Sequence, residues 1–483
     1  SMVFPVVGGD GKPTGYEISN SLRLTDNAYL NRTRSLPNDR TGTFSAWIKT
    51  AAQNSINLAG GASSVNDRAY IYFPSSGDGF SGGIFSRISG SANMNFSTSA
   101  VYRDPSAWYH LVVAIDSTQS TESNRVKWYV NGEQVTSFSS ASYPSQNGEI
   151  PLFSKAAQSI GAAYGASAVS EWSDGYIAEV YYADGTQYAA SDFGETNNNG
   201  VWVPKDAKDD ISFGNEGFYL EFKQTGTSQN SSGIGADTSG NDNHLAVNSL
   251  SATDVTTDTP TNNFATMNPI HKSIYGTNNL PTFSEGNLKI GMNSDSSTSS
   301  TIALANGKWY FEYKQSENTA DNQGFPTVGI SATLGGNPGD TIGFRTPSGT
   351  NYRGQLGTSS VDNVFLSARV ANDIFGFYID LDNSRLIVHK NGSNYMNTGY
   401  TSGLDWSGGL TTTNEQTGYY HVYVQNNSDG SPRYTDEVNF GNPTFSISSS
   451  NSDANGYGSF EYSPTLSGTD YYAICTKNLA EYG

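Results

Sequence analysis

Basic charge is scarce in this chain: 26 lysines and arginines stand against 45 aspartates and glutamates, a net charge of −19 over 483 residues. No basic stripe exists to neutralise phosphates, so nucleic acid is not expected as a partner. Cysteine is rarer still. Cys475 is the single one, which excludes an intrachain disulfide and any cysteine-based zinc site. It sits in the apolar run 471–475 and reads as a small buried strand residue. The five histidines (His110, His244, His271, His389 and His421) are scattered, with no pair at metal-ligand spacing. No apolar run reaches the length of a membrane span, and no basic-plus-apolar leader opens the chain, so membrane insertion is not expected. The Ser1-Met2 opening reads as a cloning scar ahead of a natural Met. Sustained helical periodicity, heptads and short-period repeats are also missing.

Hydrophobic residues make up only 35%, yet aromatics reach 12%, with 30 Tyr and 23 Phe, and Gly numbers 52. Aromatic rings thus supply buried area where Leu and Met are few, and Gly supplies turns. That profile predicts many short strands joined by polar loops, an all-β protein. Strand candidates run through 21–24, 42–49, 69–73, 109–115, 126–130, 175–182 and 217–222, with a short helical turn near 189–193. A second series covers 307–313, 327–331, 375–392, 419–425, 438–441 and 471–475. Between the two series, 223–263 is rich in Ser, Thr, Gly, Asp and Asn and reads as a linker or a surface-hugging strap. The expected organisation is a β-sandwich over 1–222, the strap, and a second β-sandwich over 264–483. Each half contains a strand closing on Asp, then an alternating strand ending in Asn-Gly (Asn131-Gly132 and Asn391-Gly392). Asn and Gly both tolerate positive φ, so each pair predicts a tight type I′ hairpin.

Catalytic patterns are weak. A sandwich glycanase would carry acids spaced Glu-x-Asp-x-x-Glu along one strand face, and no such string occurs. Asp380 and Asp382 close a hairpin and read as turn residues. Gly79-Phe-Ser-Gly-Gly83 matches a nucleophile elbow in letters, but it lies in a Gly/Ser loop without the strand-to-helix context. The chain is therefore expected not to be an enzyme. Two binding readings stand beside blander ones. Trp172 lies between Glu171 and Asp174 in a polar loop, and Trp406 follows Asp405 in another. A loop Trp beside carboxylates can stack on a sugar while the acids bond its hydroxyls, or it can fold back over the sandwich edge. Asp237, Asn241 and Asp242 offer oxygen ligands that suit Ca²⁺, or else form an Asx-rich turn.

Four stretches in order, Thr43-Phe-Ser-Ala-Trp-Ile-Lys, Trp108-Tyr-His-Leu-Val-Val, Val126-Lys-Trp-Tyr-Val-Asn-Gly and Asp174-Gly-Tyr-Ile-Ala-Glu-Val, resemble the laminin-G-like, concanavalin-A-type lectin/glucanase superfamily. Gly307-Lys-Trp-Tyr-Phe-Glu, Val328-Gly-Ile-Ser, Ile379-Asp-Leu-Asp through Lys390-Asn-Gly and Val438-Asn-Phe-Gly resemble a SPRY-type sandwich. Together with Gly200-Val-Trp-Val-Pro, Asp258-Thr-Pro-Thr-Asn-Asn-Phe and Thr476-Lys-Asn-Leu, the combination resembles modular structural proteins of tailed bacteriophages. This resemblance implies a virion surface component, a tail or head fibre, located on the particle and trimeric. Its implied partners are host cell-surface polysaccharide, bound weakly and multivalently through sandwich loops, or other virion proteins in a purely structural role. A glycan depolymerase is the remaining alternative.

Overall fold

The computed structural model describes residues 15–25, 27–35, 38–52, 55–73, 81–164, 169–270, 281–292, 296–318, 327–333, 340–345, 351–413, 415–426 and 434–483. The protein is nearly all β, with sheets that are almost wholly antiparallel. It divides into two compact units, Gly11–Asn263 and Phe264–Gly483.

In the first unit, strands β1 (Ser21–Leu24), β2 (Tyr29–Thr33), β3 (Thr41–Thr50), β4 (Ile56–Ser64), β5 (Asp67–Phe73), β6 (Gly83–Ile88), β7 (Ser91–Thr98), β8 (Trp108–Asp116), β9 (Val126–Val130) and β10 (Glu133–Val135) come first. They are followed by β11 (Phe138–Ser142), β12 (Ala157–Ile160), β13 (Ala162–Tyr164), β14 (Val169–Trp172), β15 (Gly175–Asp184), β16 (Gly194–Thr196), β17 (Trp202–Pro204), β18 (Phe218–Leu220), β19 (Ala246–Asn248) and β20 (Val255–Thr256). One sheet has the order β10-β9-β8-β3-β15-β1-β20, with β18 also on β15. The other has the order β11-β7-β6-β5-β4-β12-β2-β19. Alternation sends Phe44, Ala46, Ile48, Leu111, Val113 and Ile115 from the first sheet, and Ala69, Ile71, Phe73 and Ile84 from the second, into one shared core. Phe44 stacks on Tyr182 at 4.5 Å between ring centres, and each such side chain buried contributes roughly 1.5–3 kcal/mol.

Both Asn-Gly pairs form the hairpins their chemistry favours. Asn131 and Gly132 have φ of 48° and 84°, Asn391 and Gly392 have 51° and 78°, and the flanking Val130 and Glu133 are paired. A 3-10 turn occupies Ala190–Asp192. Residues 223–263 run back over the first unit: β19 extends one sheet beside β2 and β20 extends the other beside β1.

In the second unit, one sheet runs Thr282–Ser284, Lys289–Met292, Tyr434–Asn439, Lys308–Asn318, Ile374–Asp380, Arg385–Lys390, Ser393–Asn394. The opposing sheet runs Ser297–Ser299, His421–Gln425, Thr327–Ser331, Thr341–Phe344, Gly354–Gly357, Ser359–Val361. Glu312 anchors the chain's last stretch, its carboxylate accepting from the backbone N–H groups of Glu461 and Tyr462 and from Asn439 Nδ2. Cys475 is fully buried at the start of the closing helix Thr476–Tyr482.

Candidate functional site

The sequence-predicted residues do not converge on one site. Trp172 lies on a strand, not in a loop: β14 pairs with β13, placing Trp172 opposite Ala162. It is half-buried, with its ring 5.7 Å from that of Tyr29. Asp174 is buried, only 3% exposed, so its carboxylate does not face solvent beside that ring. The Glu171 side chain lies outside the described residues. In the second unit Trp406 is 6% exposed, donates its indole N–H to Tyr420 Oη at 3.0 Å, and packs against that ring. It has folded over the sandwich edge and leaves no face for a sugar. Asp405 pairs with Arg385 at 2.9 Å and accepts from Ser407 N.

The Asp237 loop is an Asx turn. Asp237 Oδ1 accepts from the backbone of Tyr219 and Ser239, and Oδ2 from Ser239 Oγ and Asn243 N. Asn241 turns its amide NH₂ to the carbonyls of Gly214 and Gly217, while Asp242 points out beside His244. The three residues expected as Ca²⁺ ligands thus aim apart, because the backbone donors of the turn compete for the same oxygens. No metal-binding group of three acids, His or Cys occurs among the described residues. Asp380 and Asp382 both contact Lys308 Nζ, at 3.5 and 3.3 Å, and bond Asn383 and Gly307 as turn residues do. The Gly79-to-Gly83 stretch falls partly outside the described residues.

Two buried polar clusters, neither singled out by the sequence, lie on the outward face of the first sheet. His110 Nδ1 accepts from Trp202 Nε1 at 3.0 Å, and its Nε2 faces Ser45 Oγ at 2.8 Å. An indole N–H only donates, so the imidazole proton sits on Nε2 and is given to Ser45. Burial pushes the imidazole down to about 3, keeping it neutral. This histidine therefore has no lone pair aimed at the serine and cannot act as its base. The second cluster is Glu179, which accepts from Tyr16 Oη at 2.7 Å and from Tyr219 Oη. A bulge between Ala178 and Tyr181, with Glu179 at φ 52°, turns this carboxyl outward instead of into the core. Burial raises it to about 7. The space bounded by Ser45, Trp47, His110, Glu179 and Phe193 is too tight to admit a water. Lacking room for a substrate, it is a packed layer under the segment carrying Phe193 and Trp202.

The outward face of the second sheet is different. Successive outward rungs of β5 and β6 pair Arg68 with Arg87, Tyr70 with Phe85, and Tyr72 with Gly83, about 7 Å from rung to rung. All five side chains are half-buried. Tyr70 stacks on Phe85 at 5.2 Å and lies 6.0 Å from Tyr72. Gly83 has no Cβ, and the Tyr72 ring lies across the space one would fill. The β13–β14 hairpin stands over β4, where Gly60 lets Ala162 and Ala163 approach the sheet. Its Tyr164 end reaches Arg68, which donates to the Tyr164 carbonyl, and its Trp172 end reaches Tyr29. The product is a shallow aromatic floor with one wall, edged by Asn95 opposite Phe85 and Ser97 opposite Gly83. Flat, half-exposed rings beside amide and hydroxyl groups can stack on a pyranose and bond its hydroxyls.

Residues 22–187 match a family model described as the concanavalin A-like lectin/glucanases superfamily. No curated protein matches the chain in sequence. Among solved structures, a heptameric SAP-like pentraxin from Limulus polyphemus is similar at 15% identity, covering 36% of this chain and 80% of its own, with a TM-score of 0.28. The SPRY domain of human HERC1 is similar at 11% identity, over 31% of this chain and 87% of its own, TM-score 0.22. The Ruminococcus gnavus IT-sialidase CBM40 bound to alpha2,3 sialyllactose is similar at 14% identity, over 33% and 88%, TM-score 0.24.

Proposed function

We propose that the first unit binds glycan without cleaving it, on the outward face of its second sheet. The observation that carries this reading is the ladder Tyr72 over Gly83 and Tyr70 on Phe85, an aromatic surface left half-exposed on a strand face. The match of 22–187 to a lectin and glucanase superfamily supports a carbohydrate ligand. A non-catalytic role is supported by the chemistry of the buried groups. His110 is committed to Trp202, and the Glu179 carboxyl is held between two phenols under a packed layer. The phage resemblance of the sequence extends the proposal to attachment at a virion surface, where several copies would add weak single-site affinities into durable contact.

The test is incubation of the full chain with a panel of bacterial surface polysaccharides, reading retention and new reducing ends together. Retention with no new reducing ends is expected. New reducing ends would make it a depolymerase, and no retention of any polysaccharide would leave a structural role in its place.

A further inference from the structure

The top rung of the ladder sets two arginines directly opposite each other. Arg68 on β5 pairs in register with Arg87 on β6, and the row continues to Ala62 on one side and Ala92 on the other. Like charges in this position repel and cost stability. A chain with 45 acidic residues has ample means to place a carboxylate between them, yet neither arginine forms an ion pair among the described residues. The nearest acid in sequence, Asp67, is turned away: its oxygens accept from Ser89 N and Ser64 Oγ, and it lies 4.0 Å from Lys155 Nζ. Both guanidinium groups lie against the same ring, Arg87 at 5.1 Å and Arg68 at 5.4 Å from the Phe85 centre. Cation–π contact holds them in place without neutralising them. The Arg68 guanidinium has one donor on the Tyr164 carbonyl, and the Arg87 guanidinium makes no hydrogen bond among the described residues.

We infer that this pair selects a carboxylate-bearing glycan, a polyuronate, whose acid group docks between Arg68 and Arg87 while its rings lie on Tyr70 and Tyr72. The inference rests on the glycan reading above and names its ligand class. Planar guanidinium forks match a carboxylate bidentately, and the flanking alanines leave the forks open. The chain as a whole, at net −19, repels polyanions, so retention of one reports this site rather than bulk charge.

The experiment is affinity electrophoresis of the full chain in gels holding hyaluronan, polygalacturonate or alginate, the same polymers with their carboxyls reduced to alcohols, or neutral dextran and galactomannan. At least one polyuronate should be retained. Carboxyl reduction and Arg87→Gln should each weaken retention about tenfold, with Arg87→Lys falling between because it keeps charge and loses the fork. Arg87 is the cleaner position, since Arg68 also holds the hairpin, and unchanged thermal melting verifies the fold of each variant. Equal retention of native and reduced polymers, retention of neutral polymers alone, or an Arg87→Gln variant that binds normally would overturn the inference while leaving glycan binding intact. Retention of no polyuronate would overturn this inference, and the glycan reading falls with it only if the bacterial surface polysaccharides are not retained either.

Discussion

Tyr72 lies across Gly83, its ring occupying the place where a side chain on that glycine would stand. The contact seats the end of an aromatic ring over the glycine, and it makes two substitutions informative. Tyr72→Ala removes a half-exposed ring from an outward face, so the melting temperature should move little while glycan retention falls about tenfold. Gly83→Ala should evict the ring and also crowd the Phe96 carbonyl, costing about 1–3 kcal/mol as well as retention. Thermal melts beside affinity electrophoresis separate the two effects.

The segment 223–263 is locked to the first unit through charge. Lys49 Nζ is buried and donates to Asp258 Oδ2 at 2.8 Å and Asn263 Oδ1 at 2.7 Å, and Trp108 Nε1 reaches Asp258 Oδ1 at 3.2 Å. Asp258→Ala leaves the Lys49 ammonium buried without its partner carboxylate. A loss of about 3–5 kcal/mol is expected in denaturant unfolding, and Lys49→Met in the same background should recover part of it.

Glu179 makes the stability of the first unit depend on pH. Burial lifts its folded value from 4.5 to about 7, so between those values the unfolded chain has released a proton that the folded unit keeps. Its contribution is complete below about pH 4.5, declines as pH rises to about 7, and is flat beyond. Glu179→Gln should remove this slope and raise stability at pH 8 by on the order of 2 kcal/mol. Asp436 in the second unit, also raised to about 7 by burial, slopes the same way. The prediction is therefore read as the difference between wild type and variant across a pH series of melts.

The two loop-Trp candidates should part company. Trp406→Ala opens a cavity under Tyr420 and should destabilise the second unit by about 3–5 kcal/mol with glycan retention unchanged. Trp172→Ala uncovers Tyr29 at the end of the hairpin wall, and a smaller stability loss with weakened retention is expected. Denaturant melts and the retention gel, run on both variants, check this contrast.

Much of the scaffold was legible because the strands of the first sheet advertise themselves. Trp108 to Asp116 holds an unbroken apolar run from Leu111 to Ile115, Val126 to Val130 alternates buried with half-buried residues, and Asn131-Gly132 can hardly be anything other than a turn. The second sheet was far less visible. β4 reads Ile-Asn-Leu-Ala-Gly-Gly-Ala-Ser-Ser and β7 reads Ser-Ala-Asn-Met-Asn-Phe-Ser-Thr, with small residues where alternation would need bulk. The aromatic ladder is built from cross-strand register, which no single strand displays. Tyr70 and Tyr72 share a face by period, but the sequence offers no sign that Phe85 and Gly83 lie opposite them. Glu179 was hidden for another reason: plain alternation through β15 points it into the core, and a bulge set by pairing with β3 turns it out. Trp172 and Trp406 were picked for their polar neighbours, and local composition does not record which way a ring folds.

The contact proposed here is sugar rings resting on Tyr70 and Tyr72. Its most direct test is a binding isotherm of the full chain against a retained surface polysaccharide, compared with a Tyr70→Ala/Tyr72→Ala variant of matched melting temperature. The variant is expected to lose at least about a hundredfold in affinity, and neither protein to shorten the polymer. An unchanged isotherm would contradict it.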